Sequence, residues 1–235
     1  LIGAFGDDDN GNRSGSAYVF LRDGATWSQQ AKLTAVDGAD EDWLGISVAL
    51  SGDIAVVGAC QDDVYGDFSG SAYVFQRDGV NWSQQTKLVA TDGFEGDYFG
   101  YSVSMNGDYI AVGAPYTDLY ELESGSVYIY YWNGAAWNEQ ARLMASVEGD
   151  GDCVGLSICI NGDYVFASAQ TDDSGPESGS VYVFHHEGAS WTEQAKLTAS
   201  DGADDEIFGC SVSFDGVHAF IGKYGDDDLG NHAGA

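Results

Sequence analysis

Carboxylate side chains stand in tight groups at intervals along the chain, and carboxylates are ligands that hard cations such as Ca²⁺ prefer. The first group opens Asp7-Asp8-Asp9-Asn10-Gly11-Asn12, which resembles a calcium loop only loosely because it lacks the distant Glu of an EF-hand. We expect Ca²⁺ as the candidate cofactor, with backbone carbonyls completing the ligand set. The candidate metal ligands are Asp7, Asp8, Asp9, Asp62, Asp63, Asp67, Asp172, Asp173, Asp226, Asp227 and Asp228.

Catalytic chemistry is not indicated by the motifs. The four histidines do not recur at one repeat position, and none belongs to an HExxH motif; they are His185, His186, His218 and His232. The sequence has no GxSxG, no phosphate loop and no paired-cysteine zinc motif. Acidic residues are too numerous to single out an acid/base pair. We therefore expect a protein that is not an enzyme, with no catalytic residue to nominate.

The charge balance restricts the partners. The chain has 38 acidic and 8 basic residues, for a formal net charge of −30. Such a surface repels nucleic acid and anionic membranes, so cations, a protein partner with basic charge or a neutral glycan are better candidates. Hydrophobic residues make up 44% of the chain, which indicates a folded protein. No apolar stretch is long enough for us to expect membrane insertion.

The chain repeats itself. The motif SGSAYVF at Ser14–Phe20 recurs, identical or nearly so, at Ser69–Phe75, Ser124–Tyr130 and Ser178–Phe184. A tryptophan keeps the same steps of 55, 55 and 54 residues, at Trp27, Trp82, Trp137 and Trp191. Residues 1–235 are thus predicted to form one array of four repeats plus a short overlap. Two explanations stay open: a fragment of a longer array, or a four-unit ring that joins its own ends.

One repeat is predicted to form four strands. The expected strands are Leu44–Leu50, Ile54–Ala59, Gly70–Arg77 and Trp82–Ala90, with a tight Ser-Gly-Asp or Asn-Gly-Asp turn between the first two. The fourth segment contains good helix formers, but its alternating pattern favours a strand.

The third strand indicates the architecture. Ala72 and Val74 face one side and Tyr73 and Phe75 the other, so both faces are apolar and each sheet must be covered on both sides. A ring of packed sheets satisfies this requirement. We predict an all-β fold, a β-propeller of four-stranded antiparallel blades with about 55 residues per repeat.

Most of the acidic residues lie at one rim of such a propeller. The loops between second and third strands and the links between repeats lie at the same end of the sheets, and together they hold 29 of the 38 acidic residues. This rim is either a solubility device or a surface for divalent cations or a cationic partner. Four basic residues occupy one position of the fourth, edge strand, where they would discourage aggregation: Lys32, Lys87, Arg142 and Lys196.

The tryptophan series admits two interpretations. The rings could stack on sugars, or they could pack at the start of each fourth strand. We favour packing at the start of each fourth strand.

Tyr98–Val103 reads YFGYSV and Ala111–Pro115 reads AVGAP, which together resemble the FG-GAP repeat of integrin alpha subunits and many secreted proteins. The similarity covers nearly the whole chain, although only this repeat keeps both FG and GAP. The resemblance implies a propeller of typically seven blades at the cell surface or outside the cell. The calcium loop of integrin blades, DxDxDG between the first two strands, is here only SGD or NGD, so that site is not carried over.

These observations lead to one main functional expectation and two alternatives. The main one is a non-enzymatic extracellular or cell-surface module for recognition or adhesion, with an acidic loop face that binds calcium. The first alternative is a structural subunit of a larger multiprotein assembly. The second is a fragment of a propeller hydrolase or lyase.

Overall fold

The computed structural model describes residues 1–118, 123–146, 151–170, 178–202 and 206–225, and this part of the chain is all strand, turn and loop, with no helix. The strands are β1 (Ile2–Ala4), β2 (Ser16–Asp23), β3 (Thr26–Leu33), β4 (Val48–Ser51), β5 (Ile54–Ala59), β6 (Ser71–Asp78), β7 (Asn81–Leu88), β8 (Ser102–Asn106), β9 (Tyr109–Ala114), β10 (Ser126–Trp132), β11 (Trp137–Leu143), β12 (Ile158–Asn161), β13 (Tyr164–Ala169), β14 (Ser180–Glu187), β15 (Ser190–Leu197), β16 (Phe208–Phe214) and β17 (Ala219–Lys223).

The strands form antiparallel meanders. Three sheets have four strands, in the orders β4-β5-β6-β7, β8-β9-β10-β11 and β12-β13-β14-β15, and the described ends of the chain add β1-β2-β3 and β16-β17. This is the strand order of propeller blades, so the predicted fold class is confirmed. The ring and its number of blades stay predictions.

The chain divides into two compact units, Leu1–Gly107 and Asp108–Ala235, and each has its own core. In the first unit, the core lies between the sheets β1-β2-β3 and β4-β5-β6-β7 and includes Leu33, Val57 and Tyr73. In the second, one cluster includes Val127 and Tyr182, and a smaller one surrounds Phe166. Neither unit, over its described residues, has a helical segment with the length and hydropathy to span a bilayer.

Strand β6 shows why the sequence forms this architecture. All four residues from Ala72 to Phe75 are at most 2% exposed, so both faces of the strand are buried, as its two apolar faces predict. The segment rich in helix formers pairs with it as β7, with a register shift between Val74 and Phe75. Tertiary pairing therefore outweighs local helix propensity.

The first strand of the repeat is shorter than predicted. The expected strand began at Leu44, whereas β4 begins at Val48. Trp43 and Gly45 have φ values of 58° and 97°, which an extended strand cannot contain. Leu44 instead forms a parallel bridge with Gly15.

The tryptophans confirm the packing interpretation at two positions. The indole Nε1 of Trp82 donates to Gln30 Oε1 at 2.9 Å, and that of Trp191 donates to Gln140 Oε1 at 3.1 Å, so each ring contacts the strand of the preceding sheet. Trp27 differs, because its side chain is 66% exposed. The packing prediction is wrong for that residue.

Candidate recognition site at the loop junctions

Three described loops between a second and a third strand each meet the link that follows the same sheet, and we call the meeting place a junction. Junction 1 consists of residues 5–15 and 35–45, and junction 2 of residues 60–70 and 90–100. Junction 3, in the second unit, consists of residues 115–125 and 145–155 without 119–122 and 147–150, which lie outside the described residues. The predicted proximity of loops and links is therefore observed within each unit.

The junctions share one backbone. A glycine of the Ser-Gly-Ser motif forms a parallel bridge with the link in each: Gly15 with Leu44, Gly70 with Phe99 and Gly125 with Val154. These glycines have φ values of about 80°, and a Cβ atom on any of them would overlap backbone atoms of the link. Only glycine fits this close approach, which gives the repeated Ser-Gly step a physical reason.

Besides Glu41 in junction 1, each junction holds two residues other than glycine in the left-handed region, at matching places. The loop supplies one of them, and its carbonyl accepts a hydrogen bond from the amide of the other, at 2.9 to 3.2 Å. Such backbone costs about 1–3 kcal/mol per residue and is concentrated at functional sites. The side chains at these two places differ in every junction: Arg13 with Trp43, Phe68 with Tyr98, and Glu123 with Cys153.

An aspartate five residues earlier in the chain holds the strained loop residue in place in junctions 1, 2 and 3. Asp8 Oδ1 accepts the amide of Arg13 at 2.8 Å, and Asp63 Oδ1 accepts that of Phe68 at 2.8 Å. In junction 3, Asp118 does the same for Glu123 at 2.6 Å. These carboxylates thus organise the loop that carries them.

The first aspartate of junction 1 binds the side chains of two strands. Asp7 Oδ2 accepts hydrogen bonds from Ser16 Oγ at 2.9 Å and Tyr18 Oη at 2.7 Å, and it lies 2.8 Å from Lys32 Nζ. Lys32 also pairs with Asp9. The hydrogen bond from Lys32 holds the pKa of Asp7 well below its usual range.

Junction 2 repeats this network in a more buried form. Asp62 Oδ2 accepts from Ser71 Oγ at 2.7 Å and Tyr73 Oη at 2.8 Å, and it lies 2.6 Å from Lys87 Nζ. Asp37 of the preceding link also pairs with Lys87, at 2.9 Å. Burial acts to lower the pKa of Lys87, but the hydrogen bonds to Asp62 and Asp37 outweigh burial and raise it.

The second unit has a different version of the network. Thr117 replaces the aspartate, and its Oγ1 lies 2.9 Å from Ser126 Oγ. Arg142 replaces the lysine, donates from Nε to Ser126 Oγ at 2.8 Å, and lies over the Tyr128 ring. The basic residue of the fourth strand therefore contacts the polar network at the base of the loop in junctions 1, 2 and 3, a role that the sequence did not indicate.

The candidate metal ligands are thus partly placed. Asp7, Asp8, Asp9, Asp62 and Asp63 make the contacts given above, and Asp67 accepts the amide of Gly96 through its backbone carbonyl at 2.9 Å. Across the described ranges, no three His, Cys, Asp or Glu side chains are arranged to hold a metal ion. The other candidates, Asp172, Asp173, Asp226, Asp227 and Asp228, lie outside those ranges. The Ca²⁺ site stays a prediction.

A third carboxylate orders each link of the first unit. Asp42 Oδ2 accepts the amide of Ala39 at 2.6 Å, and Asp97 Oδ2 accepts that of Phe94 at 2.7 Å. Both aspartates are buried. Burial raises the pKa of Asp42 to about 6.

Aromatic pairs at the junctions were missed by the sequence reasoning. The Phe68 and Tyr98 rings stack with centroids 5.6 Å apart, and the Phe5 and Trp43 rings lie 5.5 Å apart. The signal was present as aromatic residues inside acidic loops. It was not used, because residues 30 or more positions apart in the sequence gave no reason to pair.

The sequence pattern of the repeat also occurs in a known family. The FG-GAP repeat pattern matches residues 1–20, 27–75, 82–130, 137–184 and 191–235. The chain belongs to the FG-GAP repeat family. A search of curated proteins found no match to it.

FG-GAP membership also agrees with the geometry of the junctions. The Phe-Gly pair of the repeat is Phe99-Gly100, where Phe99 is 1% exposed and bridges Gly70. Members of this family are generally recognition modules without enzymatic activity, and their propellers commonly mediate protein interactions. The predicted family resemblance is confirmed.

Proposed function

We propose that this FG-GAP array is a non-enzymatic recognition module that binds a partner protein through its loop junctions. The observation that carries the proposal is the pair of left-handed residues at each junction. One backbone, with the same bridge and the same hydrogen bonds, holds different side chains in junctions 1, 2 and 3, where the loop residues Arg13, Phe68 and Glu123 are exposed and the link residue Cys153 is buried. A scaffold that fixes the backbone and varies exposed side chains is suited to recognition.

The electrostatics support a protein partner with basic charge. Junction 2 alone contributes six acidic residues and no basic one within 60–70 and 90–100: Asp62, Asp63, Asp67, Asp92, Glu95 and Asp97. Rims of one sign speed the encounter with partners of the opposite sign. Nucleic acid and anionic membranes are repelled by the same field.

Photo-crosslinking tests the proposal in the source cell. A photoreactive amino acid replaces Arg13, Phe68 or Glu123 at the junctions, or Val80 or Ala135 in the turns at the opposite end of the sheets. We expect crosslinks to the same partner protein from the junction positions and none from the turns. Equal crosslinking from both ends, or crosslinks from the turns alone, would contradict the proposal.

The proposal also includes a location outside the cell or at its surface, and Ca²⁺ as a cofactor. The resemblance to integrin blades motivates the location, and the acidic loops motivate the cation. Thermal unfolding of the purified protein in Ca²⁺, in Mg²⁺ and in chelator tests the second point. A calcium-specific rise in Tm supports sites in the loops, since a ligand that binds only the folded state stabilises it. Equal Tm values would remove calcium from the proposal.

A further inference from the structure

Junction 2 exposes a group of large apolar side chains that we call the aromatic patch. It consists of Val64, Tyr65, Phe68 and Phe94, which are 38%, 50%, 40% and 72% exposed, and of Tyr98, which stacks with Phe68. The patch is continuous across loop and link, because the Tyr65 ring lies against Gly93 and the amide of Gly96 bonds to the carbonyl of Asp67. Clustered exposed apolar side chains typically mark interaction sites.

The fold itself does not require four of these side chains. The positions of Val64, Tyr65, Phe68 and Phe94 hold no large apolar residue in junction 1, where they are Asp9, Asn10, Arg13 and Ala39, whereas the position of Tyr98 holds Trp43. The supporting bonds are the same in both: Ser14 Oγ accepts the amide of Asn10 at 3.0 Å, and Ser69 Oγ accepts that of Tyr65 at 2.9 Å. Val64, Tyr65, Phe68 and Phe94 are therefore additions to a backbone that folds without large apolar side chains at their positions.

The surroundings of the patch determine which partner it fits. Asp63, Asp67 and Glu95 are exposed beside the rings, and neither segment of junction 2 contains a lysine or an arginine. A purely apolar partner would desolvate these carboxylates without compensation. A cation lying over an aromatic ring gains from the ring and from nearby carboxylates together.

We propose that the aromatic patch binds a basic protein segment in which lysine or arginine stands beside apolar residues. One cationic side chain lies over the Phe68–Tyr98 pair within reach of Asp67, and apolar side chains cover Phe94 and Tyr65. This inference rests on the proposed function and specifies the partner of one junction.

Peptide selection tests it. Random peptides displayed on phage are selected on the purified protein at low salt, and the enriched peptides are then measured by calorimetry. The aromatic variant carries Tyr65→Asn, Phe68→Glu and Phe94→Ala, which copies residues that junctions 1 and 3 hold at the same positions. The charge variant carries Asp67→Asn and Glu95→Gln. The control is Val80→Ser, which removes an apolar side chain that is 70% exposed in the turn between β6 and β7.

We expect enriched peptides that combine Lys or Arg with apolar residues. The aromatic variant should weaken their binding about tenfold or more, as loss of interface aromatics does. The negative charge that Phe68→Glu adds to that variant favours a basic peptide, so a loss is assignable to the rings. The charge variant should weaken binding and reduce its salt dependence, and the control should bind like the parent.

Two results would overturn the inference. One is a selected pool without basic enrichment, or a pool that binds the aromatic variant as tightly as the parent. The other is binding of zwitterionic lipid vesicles that the aromatic variant abolishes, which would assign the patch to a lipid surface. If photo-crosslinks still form at positions 13 and 123, the recognition function survives either result.

Discussion

Junctions 1 and 2 have the same backbone and different surfaces. In junction 1, Glu41 joins the loop to the link: it accepts hydrogen bonds from the side chains of Asn12 and Trp43 and pairs with Arg13. In junction 2 the corresponding position is Gly96, which has no side chain to make such bonds. A Cβ atom at Gly96 would meet no atom within 4 Å, so the space beside it is open. In both junctions the backbone bridges hold the loop and the link together, whereas the side chains on the outer surface differ.

The glycine of the bridge should give the largest effect, and the same effect in both junctions. Gly15→Ala and Gly70→Ala each place a Cβ atom into the link at a positive φ, so we expect each to lose about 3 kcal/mol or more of stability. Urea unfolding of the purified variants measures this. A large loss in one junction and none in the other would show that the backbones are not equivalent.

Replacing the aspartate that pairs with the lysine should cost more stability in junction 2 than in junction 1. Asp62 is more buried than Asp7, with side chains 10% and 25% exposed. We expect Asp62→Ala to cost about 3 kcal/mol, because it leaves Lys87 partly buried without its main partner. Asp7→Ala should cost about 1 kcal/mol.

Urea unfolding measures both costs, and a double variant provides the control. The double variant Asp62→Thr with Lys87→Arg copies Thr117 and Arg142 of the second unit and should recover part of the loss. Equal costs for the two single variants would contradict the role of burial.

Asp42 should make stability depend on pH. Its pKa is raised to about 6 by burial, so between about pH 4 and pH 6 the folded state binds more protons than the unfolded state. Stability therefore falls as pH rises through this window. Asp42→Asn keeps an acceptor for the Ala39 amide and should flatten that slope in urea unfolding series at several pH values. An unchanged slope would assign the dependence elsewhere.

Phe94 should give the smallest effect on stability. Its side chain is 72% exposed, so Phe94→Ser should change the free energy of unfolding by about 0.5 kcal/mol or less. The solubility of the variant should not fall, because an exposed ring is removed. A cost above about 1 kcal/mol would show that the aromatic patch supports the fold and would weaken its assignment to binding.

Much of the fold could be predicted because it depends on local pattern and period. The repeat of Ser-Gly-Ser and tryptophan established the blade, and the two apolar faces of residues 72–75 established that each sheet is covered on both sides. Strand β5 was predicted at its observed bounds, Ile54–Ala59. The start of β4 was missed, because positive φ values at Trp43 and Gly45 depend on a bridge to a glycine about 30 residues earlier.

The sequence predicted which residue types form the candidate site but not which of them contact each other. The sequence predicted that acidic residues gather on the loops and links, and the described junctions show this placement. It could not show that Asp63 would cap Phe68 or that Asp62 would bind Lys87, because these contacts join segments 5 to 25 residues apart through a folded backbone.

The sequence by itself determined the four-strand pattern of the repeat, the period and the sign of the surface charge, since each follows from residue type and order. Only the tertiary structure decided which acids hold the loops and which rings stand together in solvent. The reason is physical: ion pairs, hydrogen bonds and ring stacking need atoms within a few ångströms, and the parallel bridges at Gly15 and Gly70 bring these residues to that distance.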